Sequence, residues 1–300
     1  MSYHDPVMLN ECMDGLAIRE DGIYVDVTYG GGGHSKAILA KLGKRGMLIA
    51  FDRDPDAAAN AVTDPRFTLV RDNFSHMLEH LKELKALPVN GVLADLGVSS
   101  HQFDEAARGF TFRFDNKLDM RMDQQQELTA LRILNSYPEK ELIRIFSEYG
   151  EVPGSRRIAA ALVSARTVKP ITSSSQFLQT ISHLVPKENE RQLLARIYQA
   201  LRIEVNDEMG ALQALLVQAS QVLQPGGRLV VMSYHSLEDR LVKNFIQHGN
   251  MQGVSESDLY GNRIGVVYRA VNKKPILPAD EEMKNNPRSR SAKLRVAEKI

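Results

Sequence analysis

One cysteine, Cys12, in 300 residues is too few for an internal disulfide or a Cys-based metal cluster, so a reducing compartment is the natural setting. A small buried hydrophobe is the simplest role for it. Long apolar runs are also missing: none approaches the roughly 18–20 residues needed to span a bilayer. The stretch from Met1 to Gly15 carries Asp5, Glu11 and Asp14 where a secretion signal needs a basic and then an apolar segment. An unexported, cytoplasmic protein with no membrane attachment is expected. Excess charge of either sign is lacking, since 38 Lys and Arg stand against 37 Asp and Glu for a net charge of +1. That balance excludes a uniformly basic surface, so any face for nucleic acid must be local. Internal repeats and low-complexity tracts are absent as well.

What is present begins with 43% hydrophobic residues, enough for at least one full core. Short apolar runs at Ile23 to Thr28, Met47 to Phe51, Phe67 to Val70 and Gly91 to Leu96 alternate with helical patterns. Such alternation marks a parallel sheet with crossover helices. The second and fourth runs are apolar throughout, as strands covered on both faces must be. The spacing therefore predicts an α/β, doubly wound, Rossmann-like sheet. After about Arg108 the strand signal stops. Helical spacing takes over at Glu139 to Tyr149, Ser155 to Ala165, Ser174 to Leu184 and Asn189 to Leu201, with hydroxyls at Thr172 to Ser175 available as a cap. Asn206 is read as opening a further helix, Pro225-Gly-Gly227 as a turn, and Arg228 to Ser233 as a buried strand that resumes the sheet. Val266 to Asn272 and Ala292 to Val296 are read as the last two strands. The expected organisation is a discontinuous core of residues 1–107 and 207–300 around an all-helical insertion of residues 108–206. Ser155 to Ile203 holds eight Lys/Arg against Glu188 and Glu190, either a phosphate-binding face or a solvated helical surface.

The strongest chemical feature is Asp26-Val-Thr-Tyr-Gly-Gly-Gly-Gly-His34, where the first strand ends in four glycines directly before a helix. Without Cβ atoms the backbone turns tightly and approaches a ligand, while the helix start offers free N–H groups. A nucleotide-like cofactor belongs there. Asp52, 22 positions past Gly30, closes the second strand, where a carboxylate can accept from both hydroxyls of a ribose. Asp54 beside it reads as a helix cap before Pro55. Phe74, just past the third strand, is either a platform for an adenine face or a core aromatic. Asp95 ends the fourth strand at the carboxyl edge, where ligands collect in such sheets, and Gln102 follows on the same loop. Ser233-Tyr-His-Ser-Leu-Glu-Asp-Arg240 puts His235 at that edge, either as a substrate contact or as a packed ring. Asp119 and Asp123 lack metal-ligand spacing, and no metal is expected.

These segments together resemble the bacterial RsmH or MraW family, which methylates the N4 amino group of a cytosine in 16S ribosomal RNA. The resemblance runs nearly end to end, through His4-Asp-Pro-Val7, Gly32-Gly-His34, Asp95 to Ser100, Leu118 to Asp123, Gln199 to Asn206, Ser233 to Arg240 and Asn286 to Arg295. It implies a class I methyltransferase core interrupted by a helical domain for RNA recognition. It also implies S-adenosylmethionine (SAM) as cofactor, held at Gly32, Gly33, His34, Asp52, Phe74, Asp95 and Gln102, and the small ribosomal subunit as partner. The chain departs from the family at Tyr29 and Gly31, where Phe and Arg or Lys are common, and at Asn116-Lys117, where Gly-Pro is common.

No Asp-Pro-Pro-aromatic motif is present, so the catalytic groups have to be argued from chemistry. A cytosine amine is a weak nucleophile because its lone pair is delocalised into the ring, and an acceptor on N4 helps it attack. Asp95 or a nearby carbonyl is the candidate acceptor, with His235 taking the proton or positioning the base. The target base has to be splayed from its neighbours, with Arg288, Arg290 and Lys293 joining the insertion as a clamp for flanking phosphates. The rival from another class is a nicotinamide-dependent Rossmann oxidoreductase, because a glycine turn and a ribose acid serve NAD equally well. An RNA-binding protein without catalysis and a small-molecule methylase are further rivals. The oligomeric state stays open, a homodimer included.

Overall fold

A computed structural model describes residues 6–258, 260 and 264–300, with residues 58, 100 and 101 described by their backbone alone. His4 and Asp5 of the first motif lie outside the described residues. Among the described residues seven strands form one sheet: β1 (Ile23–Asp26), β2 (Met47–Phe51), β3 (Phe67–Val70), β4 (Val89–Asp95), β5 (Leu223–Ser233), β6 (Tyr268–Ala270) and β7 (Lys293–Lys299). Their order is β3-β2-β1-β4-β5-β7-β6. The first five pair in parallel, and β7 enters antiparallel between β5 and β6. This is the α/β arrangement of class I methyltransferases.

The chain divides into two compact units, one running up to Gly97 and resuming at Met209–Ile300, the other Val98–Glu208. The first boundary falls ten residues ahead of the expected one, because Val98 and Phe103 pack against the helical core rather than the sheet. The first unit holds α1 (Leu9–Leu16), α2 (Gly33–Lys41) and α3 (Met77–Glu83). The second holds α4 (Ser100–Asp104), α5 (Ala130–Ser136), α6 (Glu139–Glu148), α7 (Ser155–Val168), α8 (Ser174–Ile181) and α9 (Glu190–Asn206). Then come α10 (Glu208–Val222), α11 (Ser236–His248) and α12 (Asp280–Asn285).

Leu48, Ile49, Ala50 and Phe51 of β2 are all fully buried, which explains why that run shows no alternation: both sheet faces are covered. On one face Leu16 of α1 and Ile38 and Leu39 of α2 pack with Leu48, Leu93, Val230, Leu294 and Val296. Each large side chain buried this way contributes roughly 1.5–3 kcal/mol. The expected turn at Pro225 lies within β5. Val89 pairs with Leu223 and Gly91 with Arg228, so the strand absorbs the extra residues as a bulge and continues.

The second unit packs around Phe146, Phe177, Ile197 and Leu201. Ser173 caps α8 by accepting from the Gln176 N–H. Asn206 closes α9 instead of opening the next helix. Its carboxamide accepts from the Met122 N–H and donates to the Met120 carbonyl, and Asp207 turns left-handed at φ 46°. Asn116, where the family commonly has glycine, pins its own loop: Nδ2 donates to the Thr111 and Phe114 carbonyls and Oδ1 accepts from the Leu118 N–H. Asp119 grips Arg121 through both carboxylate oxygens, at 2.7 and 2.8 Å, so this acid serves the loop.

The eight-cation stretch is thinner than its sequence suggests. Arg166 donates to the carbonyls of Leu134 and Tyr137, and Arg202 is paired with Glu208. Arg156, Arg157, Lys169, Lys187 and Arg191 remain on the surface.

Candidate active site

Strands β1, β2 and β4 all end in or directly before an acid at the same edge of the sheet: Asp26, Asp52 and Asp95. Parallel pairing with near-aligned register brings them there, since Asp26 sits opposite Ala50 and Leu93. Asp26 is 1% exposed; its Oδ2 accepts from Ser35 Oγ at 2.6 Å and its Oδ1 from the Thr28 N–H at 3.1 Å. Thr28 Oγ1 in turn accepts from the Asp95 N–H at 2.7 Å, so the first acid anchors the backbone that carries the third.

Asp52 Oδ2 accepts from the Gly30 N–H and Oδ1 from the Asp54 N–H, both at 2.8 Å. Burial pushes its carboxyl up to about 6, against the pull of those two N–H groups and with a further push from Asp54 and Asp26. Each oxygen keeps an unused lone pair for a vicinal diol. The glycine turn leads into α2 with Gly32 left-handed at φ 74° and no side chain capping the first turn. Those first-turn N–H groups suit a polar ligand.

Gly32 and Gly33 lack side chains chiefly because of the turn's own packing. A Cβ at Gly32 falls 2.6 Å from the Tyr29 hydroxyl, and one at Gly33 falls 2.9 Å from the Pro6 ring. Gly32→Ala should therefore lower stability by about 1–2 kcal/mol from left-handed backbone strain alone, and by more from the clash. Urea unfolding checks this, with Tyr29→Ala as the background in which the ring, and so the steric part, is removed; an unchanged midpoint for Gly32→Ala contradicts it.

His34 is buried. Its Nε2 donates to the Val7 carbonyl at 3.0 Å, and its Nδ1 lies 3.8 Å from Asp95 Oδ2. Asp95 Oδ1 accepts from the Tyr234 hydroxyl at 2.8 Å. Burial raises the Asp95 carboxyl to about 6, opposed by His34 and by the Tyr234 bond. The Tyr234 hydroxyl is itself pushed well above the usual tyrosine range by burial and then by the Asp95 charge.

His235 is the N-cap of α11. Its Nδ1 accepts from the Glu238 N–H at 3.4 Å, while Glu238 Oε2 accepts from the N–H groups of Tyr234 and His235. Both side chains are almost wholly buried, with His235 Nε2 3.1 Å from Glu238 Oε1. A ring that caps through bare Nδ1 carries its proton on Nε2, which suits holding the strand exit in place better than accepting a proton. Phe74 opens a short 3₁₀ turn past β3, half-buried, with Asn73 capping it. Gln102 belongs to the second unit, where its Oε1 accepts from the Ser99 N–H. The structure thus brings Gly32, Gly33, His34, Asp52 and Asp95 together at one edge. Reasoning from the sequence missed Asp26, Thr28, Ser35, Tyr234 and Glu238.

A doubly wound sheet with an antiparallel penultimate strand in space, an uncapped helix after β1 and an acid after β2 defines a class I methyltransferase. SAM is the cofactor of that class, and the residues fit it: free N–H groups at α2, a diol-ready carboxylate at Asp52, and buried negative charge suited to a sulfonium. The chain belongs to the MraW methylase family, whose model matches residues 1–300. It is 54% identical over 299 residues to the ribosomal RNA small subunit methyltransferase H of Parabacteroides distasonis, covering 99% of this chain and 98% of that protein. A protein of the same name from Flavobacterium johnsoniae is 51% identical over 300 residues, covering 100% and 99%. Among solved structures, an rRNA methylase from Streptococcus thermophilus aligns over 97% of this chain and 95% of that chain at 14% identity and a TM-score of 0.42, too distant to carry an argument. The oxidoreductase alternative finds no support.

Proposed function

We propose that this protein transfers the methyl group of SAM to the N4 amine of a cytosine in 16S ribosomal RNA of the small subunit, in the cytoplasm. The observation that carries the proposal is the Asp95–Tyr234 pair at the carboxyl edge, 2.8 Å apart, inside a chain of the MraW family. Bound SAM supplies an electrophilic methyl on a sulfonium. Asp52 accepts from the ribose hydroxyls, the first turn of α2 from Gly32 to His34 faces the polar end of the cofactor, and Phe74 lies against the adenine.

Asp95 is the acceptor for the N4 proton. Its carboxylate polarises the N–H, so that nitrogen density rises as the N–C bond forms, and it takes the proton once the amine becomes cationic. Tyr234 holds that carboxylate in line. His235 positions Tyr234 through the α11 cap and touches no reacting atom. Excluding water around the buried acids strengthens these contacts, and holding amine and methyl in register supplies several kcal/mol of the barrier reduction.

The helical unit is the RNA-recognition element, through its surface cations. Arg156→Gln with Arg157→Gln is expected to weaken subunit binding and to make its salt dependence shallower by about two ions. A small-molecule methylase predicts no change in either. The decisive test of the reaction is mapping methylated cytosines in 16S RNA from cells with and without the protein; identical maps overturn the proposal.

A further inference from the structure

Behind the reacting edge, α11 leaves a small cavity against β6 and β7. Its volume is about 10 Å³, room for a single water-sized oxygen, and its walls include Lys243, Gln247, Ile246, Ala270, Asn272 and Arg295. Its polar groups come from Lys243, Gln247, Asn272 and Arg295, and the rest of the lining is apolar. The Arg295 side chain is only 10% exposed, with Nε bonded to Asp239 Oδ1 at 2.6 Å. Its two Nη groups make no hydrogen bond among the described residues. The Asn272 carboxamide is already spent: Nδ2 donates to the Lys274 and Leu294 carbonyls and Oδ1 accepts from the Val296 N–H. Lys243 is exposed and Gln247 half-buried, and neither side chain has a partner among the described residues. A guanidinium nine-tenths buried, whose Nη donors no described protein group uses, together with an exposed ammonium beside it, suits an anionic acceptor.

The position of the cavity says which anion. β7 pairs Lys293 with Ser233 at the reacting edge and Arg295 with Val231, two residues further in and so roughly 7 Å behind it. Arg240, exposed on α11, and Lys293, 40% exposed and 3.7 Å from Asp239, lie along the way. Asp239 neutralises one of the cations Lys243, Arg295 and Lys293, which leaves the groove net positive. We propose that this notch seats a phosphodiester oxygen of the RNA strand next to the target nucleotide, with Arg295 and Lys243 as the donors. The proposal rests on RNA being the substrate. The phosphate is a handle: it fixes the strand while the base is turned into the edge.

The test uses the full chain and unmethylated small ribosomal subunits. Lys243 is chosen because it is exposed and its loss spares the fold, whereas Arg295 also holds Asp239. Lys243→Gln is compared with Lys44→Gln, an equal charge loss on the exposed loop entering β2 at the far edge. Lys243→Gln should weaken subunit binding about five- to tenfold and make the salt slope shallower by about one ion, with Lys44→Gln matching the wild type. Lys243→Gln with Gln247→Leu should weaken it further. If Lys243→Gln and Lys44→Gln behave alike, the notch holds only water and the proposal is overturned. If millimolar inorganic phosphate competes with subunits on the wild type while Lys243→Gln binds them normally, the site takes free anions and the RNA assignment is overturned. A wild-type protein that neither binds nor methylates subunits refutes the proposed function itself, an outcome distinct from the other two.

Discussion

Replacing Asp95 with asparagine is expected to lower kcat by about 10²–10³, because the acceptor for the N4 proton is removed while the shape of the site is kept. The same change should make the protein more stable at neutral pH. Burial raises the folded carboxyl from 3.8 to about 6, so the native state holds its proton where the unfolded chain has released it. Stability therefore falls as pH rises between those values, and above about 6 the fold carries the full penalty of an ionised buried carboxylate. Removing that charge should return about 1–3 kcal/mol, with the larger figure an upper bound because the side chain is a quarter exposed. In the wild type, activity should fall as pH drops through about 6, when Asp95 takes up its proton. Thermal melts at pH 8 and single-turnover methylation between pH 5 and 8 measure both effects. Tyr234→Phe should lower kcat less and shift the acid limb upward, since the hydroxyl favours the ionised acid. An Asp95→Asn enzyme within about threefold of wild-type kcat would remove Asp95 from the reaction.

The second large effect is expected at Asp52. Asp52→Ala removes the acceptor for two hydroxyls, and charge-assisted bonds contribute roughly 1.5–3 kcal/mol each. The Kd for SAM should rise by about 10²-fold or more in isothermal titration. Asp52 also holds the Gly30 N–H, so part of the loss comes from a loosened turn. Asp52→Asn, which keeps an acceptor for Gly30, separates the two contributions: it should bind better than the alanine variant and worse than the wild type. Equal binding by all three proteins contradicts the ribose assignment.

The frame of the fold was legible because its signals are short-range. The β2 run Met47 to Phe51 matches its strand residue for residue, since burial on both faces writes an unbroken apolar word. The glycine turn and the strand-ending acids Asp52 and Asp95 were equally readable from local order. What escaped depends on partners far apart in the chain. Asp26 ends β1 just as Asp95 ends β4 and Asp52 follows β2, and that parallel is the available clue. Its hydrogen bond to Ser35 and the Thr28 link to Asp95, 67 positions apart, exist only once the sheet is assembled. Tyr234 stands in the same motif as its neighbour His235, and the pattern does not say which of the two side chains turns toward the edge. The helix break at Asn206 escapes a local pattern for the same reason: its partners, Met120 and Met122, come from a loop more than 80 positions earlier. The bulge in β5 is set by register against β4, which a Pro-Gly-Gly triplet cannot announce.

The antiparallel strand also dictates an order of assembly. Among the described residues β6 borders only β7 in the sheet, while β7 lies between it and β5. Strands one to five can zip up as the chain is synthesised, yet the sixth has to wait, tethered and unpaired, until the segment after it arrives. Long-range closure of this kind is slow. Removing Lys293–Lys299 would thus leave β5 with a raw border and β6 with nowhere to dock, a nascent-like half-sheet prone to sticking to its neighbours.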